Sequence, residues 1–175
     1  AFSIDGRELV LTASVGIAVF PEDGDCASDL LRNADSAMYS AKEHGRNTYS
    51  FFTEEMNEKV SRRLALEEQM HGALDRGEFY VVYQPKVDLN SGRSIGAEAL
   101  LRWENQVLQQ IFPDEFIPIA EQTGFIIAIG EFVIQQALAM TVDWVSNNDA
   151  EFIIAVNLSP RQFRDPGLVK SIQKS

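Results

Sequence analysis

Gly96-Ala97-Glu98-Ala99-Leu100-Leu101-Arg102-Trp103 is an apolar run broken by two opposite charges. Side chains alternate faces along a strand, so Glu98, Leu100 and Arg102 share one side. Ala99, Leu101 and Trp103 take the other. The spacing predicts a strand over 94–103, joined to another over 79–87 by the turn Asn90-Ser91-Gly92. By the same parity Tyr80, Val82 and Gln84 share a face of the first strand. Ile153, Ala155 and Asn157 share a face of an apolar stretch over 152–158.

Downstream of Trp103 the rhythm becomes helical. Pro113 suits a first helical position and opens a helix carrying Phe116, Ile117, Ile119 and Ala120. A second helix is predicted over about 126–145, and Pro160 begins another. Helices alternating with buried strands predict an α/β fold of βα units with mainly parallel strands. About three strands fall in this part, too few to close an eight-stranded barrel.

Upstream, 9–20 reads as a strand ending at Pro21-Glu22-Asp23-Gly24. Leu30, Leu31, Ala34, Ala37, Met38 and Ala41 recur at helical spacing, predicting a helix over 28–44 stopped by Gly45. A short return strand is expected over 48–52. The charged stretch 54–76 reads as a solvated helix joining two domains; its apolar stripe is too short for the sustained heptads of a coiled coil. The expected partition is 1–53, a linker helix over 54–77, and a second domain over 78–175.

The composition is that of a folded chain, 45% hydrophobic and 23% charged over 175 residues. Cys26 is the single cysteine, which excludes an intramolecular disulfide and a thiolate zinc site and fits a reducing compartment. A net charge of −11 argues against general nucleic-acid binding, which needs a basic footprint. It leaves room for a small anionic ligand held by a divalent cation and placed arginines. No uninterrupted run of 18 apolar residues occurs, so no membrane span is expected. The chain reads as starting inside a domain, which leaves room for an upstream membrane or sensor region.

Two ordered blocks carry a resemblance. Leu11-Thr-Ala-Ser-Val-Gly-Ile-Ala, then Ala34-Asp35-Ser-Ala-Met38-Tyr39-Ser-Ala41-Lys42-Glu-His-Gly45-Arg46-Asn47, resembles the C-terminal third of a GGDEF domain, the diguanylate cyclase fold. Tyr83-Gln84-Pro85, the Glu98 strand, Pro113-Asp-Glu-Phe116-Ile117-Pro118-Ile-Ala120-Glu121-Gln-Thr-Gly124, and Val156-Asn157-Leu158-Ser159-Pro-Arg161-Gln162-Phe163 resemble the first half of an EAL domain. That family hydrolyses cyclic di-GMP to linear pGpG on a TIM-like (β/α) barrel, here incomplete. The resemblance implies a cytoplasmic GGDEF–EAL tandem signalling protein.

The resemblance also implies roles. Glu98 and Asn157 would ligate Mg²⁺ or Mn²⁺, hard cations that take oxygen donors. Arg102 would grip a phosphate oxygen with its forked donors. Gln84 would hydrogen-bond a guanine edge, and Leu100 would line the substrate site. Lys42 and Arg46, read as one face of a helix end, would be vestigial GGDEF phosphate contacts, because the signature loop for GTP lies upstream. The later acidic EAL ligands lie beyond residue 175, so this chain alone is expected to be inactive. The alternative is a degenerate EAL domain acting as a cyclic di-GMP receptor or protein-interaction module. Open strand edges predict association or swapping, with a homodimer through the EAL or GGDEF domain as one form.

Simpler readings stand beside these. Glu98 and Arg102 also read as a paired ion, and Asn157 or Ser159 as a helix cap. Glu121 reads as structural, and Trp103, Phe116 and Ile117 as core or pocket wall. Lys42 and Arg46 complement a helix C-terminus. The stretch Glu104-Asn105-Gln106-Val-Leu-Gln109-Gln110 departs from the family's usual His-Pro and later Gly. It puts the shape of that loop at issue, not the metal ligands.

Overall fold

The computed structural model describes residues 2–4, 7–147 and 152–174. Two compact units divide the chain, Ala1–Ala65 and Leu66–Ser175.

In the first unit β1 (Phe2–Ile4) pairs antiparallel with β2 (Arg7–Leu9). β3 (Val15–Ile17) pairs parallel with β4 (Tyr49–Phe51), and α1 (Ala27–Glu43) connects them. The strand expected over 9–20 is therefore much shorter. Its partner β4 offers only three residues, and residues 10–14 carry exposed side chains at Val10 and Leu11. Helix α1 buries Asn33, Ser36, Ala37 and Ala41. It lies so close to β3 that a Cβ on Gly16 would stand 1.8 Å from the Ala34 carbonyl oxygen.

Helix α2 (Glu54–Met70) brings Asn57 against α1. Asn57 Nδ2 donates to Asn33 Oδ1 at 3.0 Å, Ser36 Oγ donates to Asn57 Oδ1 at 2.7 Å, and Asn33 Nδ2 donates to the Asp23 carbonyl at 2.7 Å. The part-buried polar groups of Asn33, Ser36 and Asn57 thus find partners in one another and in the Asp23 carbonyl. The helix expected to reach residue 76 ends at Met70. Gly72 (φ 71°) and Gly77 (φ 69°) take left-handed conformations that break the helical ladder and turn the chain toward the next strand.

The second unit is built on β5 (Phe79–Val87) and β6 (Ser94–Asn105). They pair antiparallel from Phe79↔Trp103 to Lys86↔Gly96, with a register shift before Val87↔Ser94. A third strand, β7 (Gln109–Ile111), folds back on the end of β6 as a hairpin where a loop was expected. Asn105 Oδ1 makes that turn by accepting from both Val107 N and Leu108 N at 2.9 Å, and Gln109 adopts a φ of 61°. Helices α3 (Pro113–Thr123) and α4 (Ile126–Asn147) follow, then β8 (Ile153–Val156), parallel to β6. The expectation of mainly parallel strands is corrected: β5, β6 and β7 are antiparallel, because short turns join them, and only β8 returns through helices. After Pro160 the chain forms a short 3₁₀ turn, Gln162–Arg164, and α5 (Leu168–Lys174), rather than one continuous helix.

Trp103, Phe116 and Ile111 are fully buried, and Phe79 stacks on Trp103 with centroids 5.2 Å apart. Helix α4 contributes Ile126, Ile129, Val133 and Ala137 to this core. By length and composition, residues Ile126–Trp144 are apolar enough to cross a membrane, with mean hydropathy 1.4. That average tolerates Glu131 and the paired glutamines, which an uninterrupted run does not.

A polar knot closes the base of the core. Glu78 Oε2 accepts from Trp103 Nε1 and from Asn105 Nδ2, both at 3.0 Å, while Arg76 Nε donates to Glu78 Oε1 at 2.6 Å. Its carboxyl is held down to about 2. The Arg76 hydrogen bond is the main cause, opposed by burial and assisted by Asn105 and Trp103. The sequence reading missed Glu78 because its partners are scattered from 76 to 105.

Candidate active site

The ladder register lines up the polar residues of the sheet. Gln84 lies directly opposite Glu98, and Glu98 in turn opposite Ala155. Asn157 follows Ala155 by two positions and so falls on the same face, just past the end of β8. There Asn157 Nδ2 donates to Glu98 Oε1 at 2.7 Å. Glu98, Leu100 and Arg102 are half-buried on this face, while Ala97, Ala99 and Trp103 point into the core. The alternation read from the sequence is the one that the strand adopts.

Arg102 donates Nη1 to its own strand's Leu101 carbonyl at 2.7 Å, and it makes no ion pair with Glu98. That removes the paired-ion reading and leaves the rest of the guanidinium fork for an external acceptor. Leu100, Arg102, Ile117, Gly130, Asn157 and Gln162 border a cleft of about 210 Å³. On the opposite face of β5, Tyr83 donates its hydroxyl to the Gln136 carbonyl at 3.0 Å, and burial raises its pKa.

The capping question also resolves. Ser159 Oγ accepts from Arg161 N at 3.2 Å, and Gln162 Oε1 accepts from Ser159 N at 2.9 Å. Ser159 and Gln162 thus tie the chain after β8 to itself, while the turn Gln162–Arg164 starts from Arg161 with no side-chain cap. The Asn157 side chain remains at Glu98. Arg161 Nη1 donates to the Glu121 carbonyl and, at 3.1 Å, to that of Gln122, so the part of Glu121 held here is its backbone at the end of α3.

In the first unit the reading of Lys42 and Arg46 as one helical face is corrected. Helix α1 ends at Glu43, and Arg46 lies past Gly45 with φ 59°, outside the helical repeat. Both side chains are exposed.

The face at Glu98 suits a hard cation in part. One carboxylate and one amide side chain meet here, Asn157 Nδ2 to Glu98 Oε1 at 2.7 Å, and each also carries an oxygen of the kind that hard cations take. Among the described residues no three His, Cys, Asp or Glu side chains gather as a metal cluster.

Comparison with known proteins agrees with both halves of this picture. Residues 67–175 match the EAL domain model, and residues 1–48 match the model described as diguanylate cyclase, GGDEF domain. The bifunctional diguanylate cyclase/cyclic di-GMP phosphodiesterase MucR of Pseudomonas aeruginosa is 43% identical over 174 residues, 99% of this chain and 25% of MucR. The cyclic di-GMP phosphodiesterase PdeR of Escherichia coli is 35% identical over 173 residues, 99% of this chain and 26% of PdeR. This chain thus spans about a quarter of each. Among solved structures, the PaMucR phosphodiesterase in complex with c-di-GMP aligns with TM-score 0.60 at 43% identity, covering 63% of this chain and 44% of that one. The EAL enzyme Bd1971 in its cAMP-bound form aligns with TM-score 0.58 at 25% identity, covering 87% and 39%. An antiparallel β5–β6 pair leading into a helix-connected parallel strand, together with these matches, identifies the chain as a GGDEF–EAL tandem segment that belongs to the EAL domain family.

Proposed function

We propose that this chain supplies the first part of a metal-dependent phosphodiesterase site that hydrolyses cyclic di-GMP to linear pGpG. The observation that carries the reading is the 2.7 Å contact between Asn157 and Glu98, which brings two side chains with oxygen donors together just past the carboxyl end of β8. That end of a β/α sheet is where such folds bind substrate. MucR and PdeR, by name, act on the same dinucleotide.

In this reading Glu98 and Asn157 hold Mg²⁺ or Mn²⁺. When bound, such a cation polarises a phosphoryl oxygen and activates water. Arg102 neutralises a phosphate oxygen through donors not used on Leu101. Leu100, between Glu98 and Arg102, supplies an apolar wall that keeps bulk water from the phosphate. Gln84, opposite Glu98 and exposed, offers both a donor and an acceptor to a guanine edge. Two protein oxygens fall short of the near-octahedral set that Mg²⁺ requires. The 175-residue chain by itself is therefore inactive in this reading, and Lys42 and Arg46 remain half of a GGDEF phosphate site.

The test is hydrolysis of cyclic di-GMP with Mg²⁺ or Mn²⁺ by the full-length tandem protein, beside Glu98→Ala. Turnover that vanishes in the variant supports the reading. Tight binding of the dinucleotide without turnover in the unaltered protein moves the function to a receptor.

A further inference from the structure

The segment that carries Asn157 is held from two sides. Gln162 is 3% exposed, and its Oε1 accepts the Ser159 N–H at 2.9 Å while its own N–H donates to the Ser159 carbonyl at 3.0 Å. Its amide lies in a notch on α4 that only glycine leaves open: a Cβ on Gly130 would stand 1.6 Å from Gln162 Nε2 and 2.8 Å from its Cδ. On the other side the Arg161 guanidinium caps the last carbonyls of α3. Both anchors act within five residues of Asn157, whose own strand ends at Val156.

We infer that Gln162, seated against Gly130, is a positioning residue that fixes the backbone after β8 so that the Asn157 amide meets Glu98. This rests on the metal-site reading of Glu98 and Asn157. The turn that Gln162 opens is three residues long, and the Gln162 side chain reaches both Ser159 N and the notch on α4. Gln162 and Gly130 also border the same cleft as Asn157 and Arg102. The effect on the cation thus passes through the backbone of residues 157–159, as outer-shell partners of metal ligands generally act.

The experiment compares Mn²⁺ affinity, by electron paramagnetic resonance titration of the full-length tandem protein, in Gln162→Ala, Gln162→Glu, Gly130→Ala and Glu98→Ala. Gln162→Ala is expected to weaken Mn²⁺ by roughly tenfold or more. Gln162→Glu keeps the oxygen that accepts from Ser159 and should recover most of the affinity. Gly130→Ala fills the notch and displaces the Gln162 amide, so it should weaken Mn²⁺ several-fold in a protein that still melts cooperatively. If Gln162→Ala does not fold, Gly130→Ala decides alone. Wild-type affinity in Gly130→Ala and in any folded Gln162 variant, with affinity lost in Glu98→Ala, overturns the positioning role alone. Wild-type affinity in Glu98→Ala overturns the metal-site reading beneath it.

Discussion

Asn157 and Glu98 stand 59 positions apart in sequence and meet through one hydrogen bond of 2.7 Å, Nδ2 to Oε1. An amide at 157 suits the neighbouring carboxylate because its N–H donates to Glu98 without adding a second negative charge.

Asn157→Asp tests this. It replaces a donor with a second carboxylate, and two like charges at this distance disfavour joint ionisation. The metal-free protein should melt at a lower temperature at pH 7. Stability should return on adding Mn²⁺. An unchanged melting curve would show that the two side chains do not meet in solution.

Arg102→Lys is not conservative here, since a lysine ammonium lacks the planar fork. Hydrogen bonds to charged groups are worth about 1.5–3 kcal/mol. Arg102→Ala should therefore weaken cyclic di-GMP binding by roughly 10- to 100-fold, with Lys recovering only part. Calorimetry with Ca²⁺ in place of Mg²⁺ or Mn²⁺ checks this.

Glu78 predicts a pH dependence of stability. Its folded pKa of about 2 lies below the ordinary glutamate value, so the unfolded chain binds more protons between the two. The contribution is full above about pH 4.5 and is lost as pH falls through about 2. Glu78→Gln should flatten that acid limb of the denaturation midpoint. It should also lower stability at neutral pH, because the one amide oxygen cannot accept from Arg76, Trp103 and Asn105 as the carboxylate does. The same acid limb in the variant would assign it to other carboxylates.

Gly16→Ala probes the first unit. The added methyl would meet the Ala34 carbonyl at 1.8 Å, and main chain cannot yield as a side chain does. The expected loss is about 1–3 kcal/mol or more. Faster hydrogen exchange along α1 is the accompanying sign. A neutral substitution would mean that β3 and α1 are farther apart.

The strands that carry Glu98 and Gln84 were legible because Gly92 and the alternation over 94–103 fix both the turn and the faces. Their antiparallel sense was legible too, in the six residues between Val87 and Ser94, since a parallel return needs a longer crossover. The later helix–strand alternation masked that signal. Strand β7 stayed hidden because two glutamines and one isoleucine carry no strand pattern; the Asn105 side chain makes that hairpin. Ser159 and Gln162 lie three apart in the sequence, but their tie to the site is not legible there. That tie needs the notch at Gly130, thirty-two residues earlier on another element.

Strand β6 is hydrogen-bonded along both edges, to β5 on one side and to β7 and β8 on the other. Strand β8 has four residues, and β6 is its one partner among the described residues. The two halves of the site thus differ in how readily their backbones open. Amides around Glu98 are released only with the sheet as a whole, whereas those near Asn157 are released by fraying of a short outer strand. A ligand that bridges the two side chains would lend the lifetime of the inner strand to the outer one. Occupancy would then be written as slowed exchange over residues 153–159, with little change over 96–99.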